Sequence, residues 1–151
     1  MGFLILSALV LVGDQFSKHL VQLFLDEGES FAVVPDILHI TLYKNPGAAF
    51  GILAHKTSFF ILITAAVMIL VLYLYISFPK NKTLGRMGLA LQFGGAAGNL
   101  IDRLINNGYV VDFIDLRIWP IFNIADSAIV LGTAFLIWEI MRWQRGEPRK
   151  S

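Results

Sequence analysis

From Ser58 to Phe78 the chain runs without a single charged residue. In lipid every backbone N–H and C=O must be satisfied inside the segment that carries it. An apolar run of this length is therefore confined to one outcome, a helix crossing the bilayer. Three more stretches approach that length. Gly2–Leu25 is interrupted by Asp14 and Lys18, and Leu84–Ile105 is rich in Gly and Ala and ends in GNLIDR. The last, about Asn123–Trp143, has Asp126 near its start and Glu139 near its end. Charged residues make up only 15% of the chain, where a soluble domain carries about a quarter. The fold expected is an all-α membrane protein in one domain, 1–151, with four transmembrane helices near 2–25, 58–78, 84–105 and 123–143.

Composition also removes several functions. A net charge of +1 gives no footing for nucleic-acid binding. Without cysteine there are no disulfides, thiolate metal sites or cysteine nucleophiles. His19, His39 and His55 lack metal-ligand spacing, so neither a metal nor a cofactor is expected. The first apolar stretch has no basic leader and contains Asp14 and Lys18, which reads as a retained span rather than a cleaved signal.

Loop charges orient the spans. The link between the second and third holds Lys80, Lys82 and Arg86, and the tail holds Arg142, Arg145, Arg149 and Lys150. The other loops, 26–57 and 106–122, hold Lys44, Lys56 and Arg117 diluted by Asp26, Glu27, Glu29, Asp36, Asp112 and Asp115. The positive-inside rule then puts both termini in the cytoplasm. In that orientation Asp14 and Lys18 lie in the middle-to-outer part of the first span. Asn99, Asp102 and Arg103 fall at the outer end of the third, and Asn123 and Asp126 at the outer start of the fourth. Ionisable groups inside a membrane are expensive, and three helices sending polar groups to one depth point to a site. In the first outer loop HITLY (His39–Tyr43) alternates like a strand, and Asn45-Pro46-Gly47 is a turn signal. A small extracytoplasmic β-sheet is expected there, with a short amphipathic helix near Thr57. The second outer loop reads as a hairpin, opened by Asn106-Asn107-Gly108 and limited by Pro120.

Each polar group has a plain structural reading beside the functional one. Asp14 and Lys18, four apart on one helical face, read first as a mutually neutralising pair that supports the site. Gly94-Gly95-Ala96-Ala97-Gly98 reads as close packing of helices within the chain. Asp102 beside Arg103 reads as a local ion pair; in a site it would hold Arg103, which with Asn99 would donate to substrate carbonyls. Asp126, in the first turn of its helix, would serve as an N-cap or a dipole partner. Asp112 and Asp115 remain. In extended backbone, positions three apart face opposite sides, so only one of them can join Asp126, and spacing does not say which. Two carboxyls facing each other across the connector would make an aspartyl dyad that cleaves a peptide bond at the membrane surface.

At these residues the chain resembles the lipoprotein signal peptidases (signal peptidase II), aspartyl proteases of the bacterial inner membrane. The resemblance covers nearly the whole chain through five ordered motifs: DQFSK (Asp14–Lys18), NPGAAFG (Asn45–Gly51), GNLIDR (Gly98–Arg103), VVDFID (Val110–Asp115) and FNIADS (Phe122–Ser127). It implies that Asp112 and Asp126 are the catalytic pair and that Asp115 is not catalytic. It implies that Asn45, Gly95, Asn99, Arg103, Asn123 and Ala125 line the substrate cleft, with Asp14, Lys18 and Asp102 supporting it. The reaction implied removes the signal peptide from a diacylglyceryl-modified prolipoprotein, cutting before the lipidated cysteine. A monomer that takes its lipid-modified substrate from surrounding membrane lipids is expected, with the site at the outer face.

The chemistry follows from the pair. Two facing carboxyls share one proton near neutral pH and titrate as a unit. The ionised member activates a water and the protonated one polarises the scissile carbonyl. A Ser–Lys pairing of Ser127 with Lys18 is disfavoured, because they lie on different helices and Lys18 already faces Asp14. Two other classes compete. A proton-coupled transporter would relay through Asp14, Asp102 and Asp126 but needs groups at both leaflets, and the inner half offers only Glu139. A structural assembly factor would use the glycine-rich span and would lose its partner on Gly95→Leu while tolerating loss of the aspartates.

Overall fold

The structure is a computed structural model and describes residues 1–47 and 56–146. Four helices occupy the four apolar stretches: α1 (Gly2–Phe24), α2 (Thr57–Ser77), α3 (Thr83–Ile105) and α4 (Ile124–Gly146). Among the described residues, three of them are long and apolar enough to cross a membrane: Gly2–Phe24, Thr57–Ser77 and Ile124–Gln144. The exception is α3, which carries Arg86, Gln92, Asn99, Asp102 and Arg103. Its position accounts for this composition. It packs against α1, α2 and α4, and its glycines together with Asn99 and Asp102 are buried in those contacts.

Close approach around α3 depends on glycine. Gly88 and Gly132 oppose one another across α3 and α4, and a Cβ on either would strike the other's carbonyl oxygen. Gly88→Ala is expected to cost about 1–3 kcal/mol through overpacking. The check is a lower thermal midpoint in detergent.

The helices alternate in direction. At one end Phe3 of α1 stacks on Tyr75 of α2 and meets Phe93 of α3, while Glu139 of α4 accepts from the Gly85 N–H of α3. Phe3, Val71, Leu89 and Ala90 form the buried apolar core there. The buried polar residues Asp14, Lys18, Asn99, Asp102 and Asn123 gather toward the opposite end.

That end also carries an antiparallel sheet, ordered β1 (Ser30–Val34), β2 (Leu38–Asn45), β3 (Val110–Asp115). β1 and β2 are joined through Pro35 and Asp36, the latter at φ 63 with Ile37 N–H bonded to Val34 O. This is the backbone a type II turn demands. The expected HITLY strand lies inside β2. The second outer loop differs from the expected self-contained hairpin. Asn107 and Gly108, both at positive φ, turn the chain out of α3, and β3 then pairs chiefly with β2 from the first loop. Only an isolated bridge, Ile114 to Phe122, closes the loop on itself. The apolar residues of β3 gain burial by joining a larger sheet, which a lone hairpin could not offer. The amphipathic helix expected near Thr57 would fall on residues 48–55, outside the described residues. So do His55, Arg149, Lys150 and the Ala48–Gly51 portion of the NPGAAFG motif.

Candidate active site

The polar layer is built around one buried cation. Lys18 Nζ lies 2.8 Å from Asp14 Oδ2 and 2.9 Å from Asp102 Oδ2, and donates to Asn99 Oδ1 at 3.1 Å. Its side chain is 2% exposed. An ammonium so enclosed needs compensating charge and acceptors on every side, and α1 and α3 supply them. Gln15, between the two charged residues in sequence, donates to Asp102 Oδ1 at 2.8 Å and to the Gly98 carbonyl at 3.2 Å. A Cβ at Gly98 would collide with the Asp14 carboxylate, so glycine there is what lets α1 and α3 exchange these bonds.

The same layer caps α4. Asn123 precedes the helix, and its Oδ1 accepts from Asp126 N–H at 2.8 Å. The Asp126 carboxylate reaches back to Asn123 N–H at 3.3 Å. This reciprocal pair is a capping box. A third orphan donor, Ala125 N–H, goes to Asp14 Oδ1 at 2.9 Å across the bundle. Carboxylates near the helix start also face the positive end of its dipole.

β3 delivers the second carboxylate. Asp112 is 1% exposed. Its Oδ1 accepts from Asn123 Nδ2 at 2.6 Å and its Oδ2 from Asn45 Nδ2 at 2.9 Å. Asn99 Nδ2 donates to Asp126 Oδ1 at 2.8 Å, and Asn123 Nδ2 also reaches Asn99 Oδ1 at 3.1 Å. Asp112 and Asp126 thus meet at Asn123, which bonds both. Burial pushes the Asp112 carboxyl up to about 7, aided by the charge of Asp126 and opposed by its bonds from Asn45 and Asn123 and by Lys18. Asp115 goes elsewhere. Its carboxylate takes Thr41 Oγ1, Arg117 N–H and Arg117 Nη1 on the sheet.

Several sequence expectations look different in place. Asp102 does not hold Arg103, and no ion pair joins them among the described residues. Neighbouring helical residues do not face each other, so Asp102 turns to Lys18 and accepts Val111 N–H at 2.9 Å. Arg103 instead donates to the carbonyls of Asn99 and Gly47, each at 3.3 Å, and lies 5.0 Å over the Phe60 ring. The asparagine amides are turned on the carboxylates. Gly95 lies at the α3–α4 contact, where a Cβ would meet the Ala125 carbonyl oxygen, and Ala125 is fully buried. Ser127 Oγ donates to the carbonyl of Asn123, the residue that precedes its helix. The cap at α4 is Asn123, with Asp126 completing it. Sequence reasoning misses Gln15; its spacing of three from Lys18 on the same helix is a signal that could find it.

The chain is similar to known proteins over most of its length. The family model described as signal peptidase (SPase) II matches residues 6–142. A protein of Moorella thermoacetica named lipoprotein signal peptidase is 50% identical over 141 residues, 93% of this chain and 93% of its own. One of the same name from Pelotomaculum thermopropionicum is 46% identical over 93% of this chain and 92% of its own. A solved bacterial membrane enzyme superposes with a TM-score of 0.91 at 36% identity, covering 99% of this chain and 93% of the other.

Proposed function

The chain belongs to the signal peptidase II family, the lipoprotein signal peptidases, and on that premise we propose that it is an aspartic endopeptidase acting at the outer face of the bacterial inner membrane. Its substrate is a diacylglyceryl-modified prolipoprotein, cleaved before the lipidated cysteine. The observation that carries this reading is the convergence of Asp112 and Asp126 on Asn123, buried beside a charged layer that fixes both.

In the mechanism the two carboxyls share a proton. One acts as general base on a water, and the other polarises the scissile carbonyl. The tetrahedral diol collapses as a proton returns to the nitrogen, freeing the new amino terminus on the lipidated cysteine. Asn45, Asn99 and Asn123 orient the pair, each donating an amide N–H to a carboxylate. Arg103, anchored by two carbonyls, is the side chain we assign to substrate backbone. No metal ion or covalent intermediate takes part in this scheme.

We assign all four helices to the membrane, with α3 shielded by the other three. Both termini lie in the cytoplasm, as the loop charges require. The lipid chains of the substrate stay in the bilayer during cleavage, and a monomer suffices.

The test is incubation of purified protein with a diacylated precursor, read as a mobility shift. Wild type should shift it, and Asp112→Asn and Asp126→Asn should not. Processing should also fall as pH rises through about 7 and beyond, because the pair then loses its shared proton. A tenfold loss per pH unit on the alkaline side is expected in kcat/KM. Full activity at about pH 10 would remove the protonated member from the mechanism. A proton-coupled transporter is the weaker reading, since Glu139 is engaged with the Gly85 N–H. Proton-linked flux in liposomes without processing would favour it.

A further inference from the structure

At the end of the bundle away from the aspartates, a cavity of about 180 Å³ opens among the start of α1, the close of α2 and the start of α3. Its lining is of two kinds. Phe3, Tyr75 and Met87 supply apolar surface, whereas Lys80, Thr83 and Arg86 supply two cations and a hydroxyl. Arg86 is fixed in this wall. Its Nη1 donates to the carbonyls of Tyr75 at 3.0 Å and Phe78 at 2.9 Å, and the guanidinium lies 3.9 Å over the Tyr75 ring.

Among the described residues no carboxylate forms an ion pair with Lys80 or Arg86. Glu139, the carboxylate packed nearby, is turned to the Gly85 N–H. The first turn of α3 contains no acid, and its N-cap, Lys82, makes no side-chain capping bond. The positive end of the helix dipole therefore adds to the two cations.

We propose that this cavity holds the headgroup of an anionic phospholipid from the inner leaflet. The phosphate lies between Lys80 and Arg86, the glycerol hydroxyls reach Thr83, and one acyl chain runs along Phe3 and Met87. A planar guanidinium and an ammonium are the pair of donors that suits a phosphate diester. The apolar lining distinguishes a lipid from a free anion, which has nothing to place there. Such a lipid bridges three helices at the end opposite the catalytic layer, and so stabilises the bundle by binding only its folded form.

The test compares thermal midpoints in phosphatidylcholine nanodiscs with and without phosphatidylglycerol. Both leaflets then present the probe, so the result does not depend on the orientation proposed above. Phosphatidylglycerol should raise the wild-type midpoint by roughly 5 °C. The rise should be lost in Lys80→Gln and reduced in Met87→Trp, which fills the apolar side. It should persist in Lys82→Gln, which removes an equal charge whose ammonium sits over the Trp143 ring rather than in the cavity. Arg86 is left in place because it also caps α2. No rise in wild type, or an undiminished rise in Lys80→Gln, overturns the proposal. An equal rise from glycerol 3-phosphate in plain phosphatidylcholine discs overturns it in favour of a free anion.

Discussion

Asp112→Asn is expected to stop processing and, at about pH 8, to make the protein harder to melt. The activity loss follows from the role proposed for the pair. General acid–base work by a positioned carboxyl contributes roughly 10²–10⁴-fold, and a water held by one carboxylate alone lacks its proton-donating partner. Groups that act as a unit are not additive. The double variant Asp112→Asn, Asp126→Asn should therefore be no slower than either single one. A single-site variant processing precursor at the wild-type rate would dissolve the dyad.

The stability gain has a separate origin. Burial, with the charge of Asp126, lifts the Asp112 carboxyl from its ordinary 3.8 to about 7. A carboxyl whose proton is held more tightly in the folded protein favours folding at low pH. That contribution is fully present below about pH 4 and is lost as pH rises to about 7. The native state then carries an ionised group in a poor place. Three pH units at about 1.36 kcal/mol each set a ceiling of about 4 kcal/mol. Asparagine abolishes the ionisation but has one oxygen where two were used. Either Asn45 or Asn123 then loses an acceptor, at about 1–3 kcal/mol. The net at about pH 8 is a gain of about 1–3 kcal/mol, and the sign reverses near pH 4. Thermal midpoints of the two proteins measured across that range should cross.

The helices were legible because lipid leaves a long apolar run one way to fold, and Ser58–Phe78 has no competitor. The polar layer was legible for the same reason: a charge such as Lys18 or Asp102 inside such a run has to meet something. The partners themselves were less so. Asp102 and Arg103 are adjacent in the sequence, and adjacency suggests an ion pair, but neighbouring side chains leave a helix in different directions. The choice between Asp112 and Asp115 depends on the register of β3 against β2, with Tyr43 opposite Asp112 and His39 opposite Asp115. That register joins segments far apart in the chain and shifts between Ile40 and Tyr43, so no local spacing encodes it. The family resemblance names Asp112, and its bond with Asn45 shows how the sheet holds it. Gln15 escaped because it carries no charge, although it ties Asp102 to the Gly98 carbonyl.

Lys18→Met should cost more stability than Gly88→Ala or either aspartate variant, although its ammonium bonds to neither Asp112 nor Asp126. Methionine fills similar space, so the loss is electrostatic rather than a cavity. Without the ammonium, Asp14 and Asp102 are left buried together, both at hydrogen-bonding distance from where it stood. Breaking a buried ion pair in this way costs about 3–5 kcal/mol. The consequences spread further, because Asp14 caps α4 through Ala125 and Asp102 holds β3 through Val111. The helix carrying Asp126 and the strand carrying Asp112 would both lose an anchor. The expected result is a thermal midpoint lower by roughly 10 °C in detergent, with processing lost even where the protein remains folded. Adding Asp14→Asn to Lys18→Met separates charge from packing. Asparagine keeps an oxygen to accept Ala125 N–H while removing one of the two unpaired charges, so the double variant should recover part of the lost midpoint. If it melts lower still, steric fit holds the cluster together and the buried cation is incidental to it.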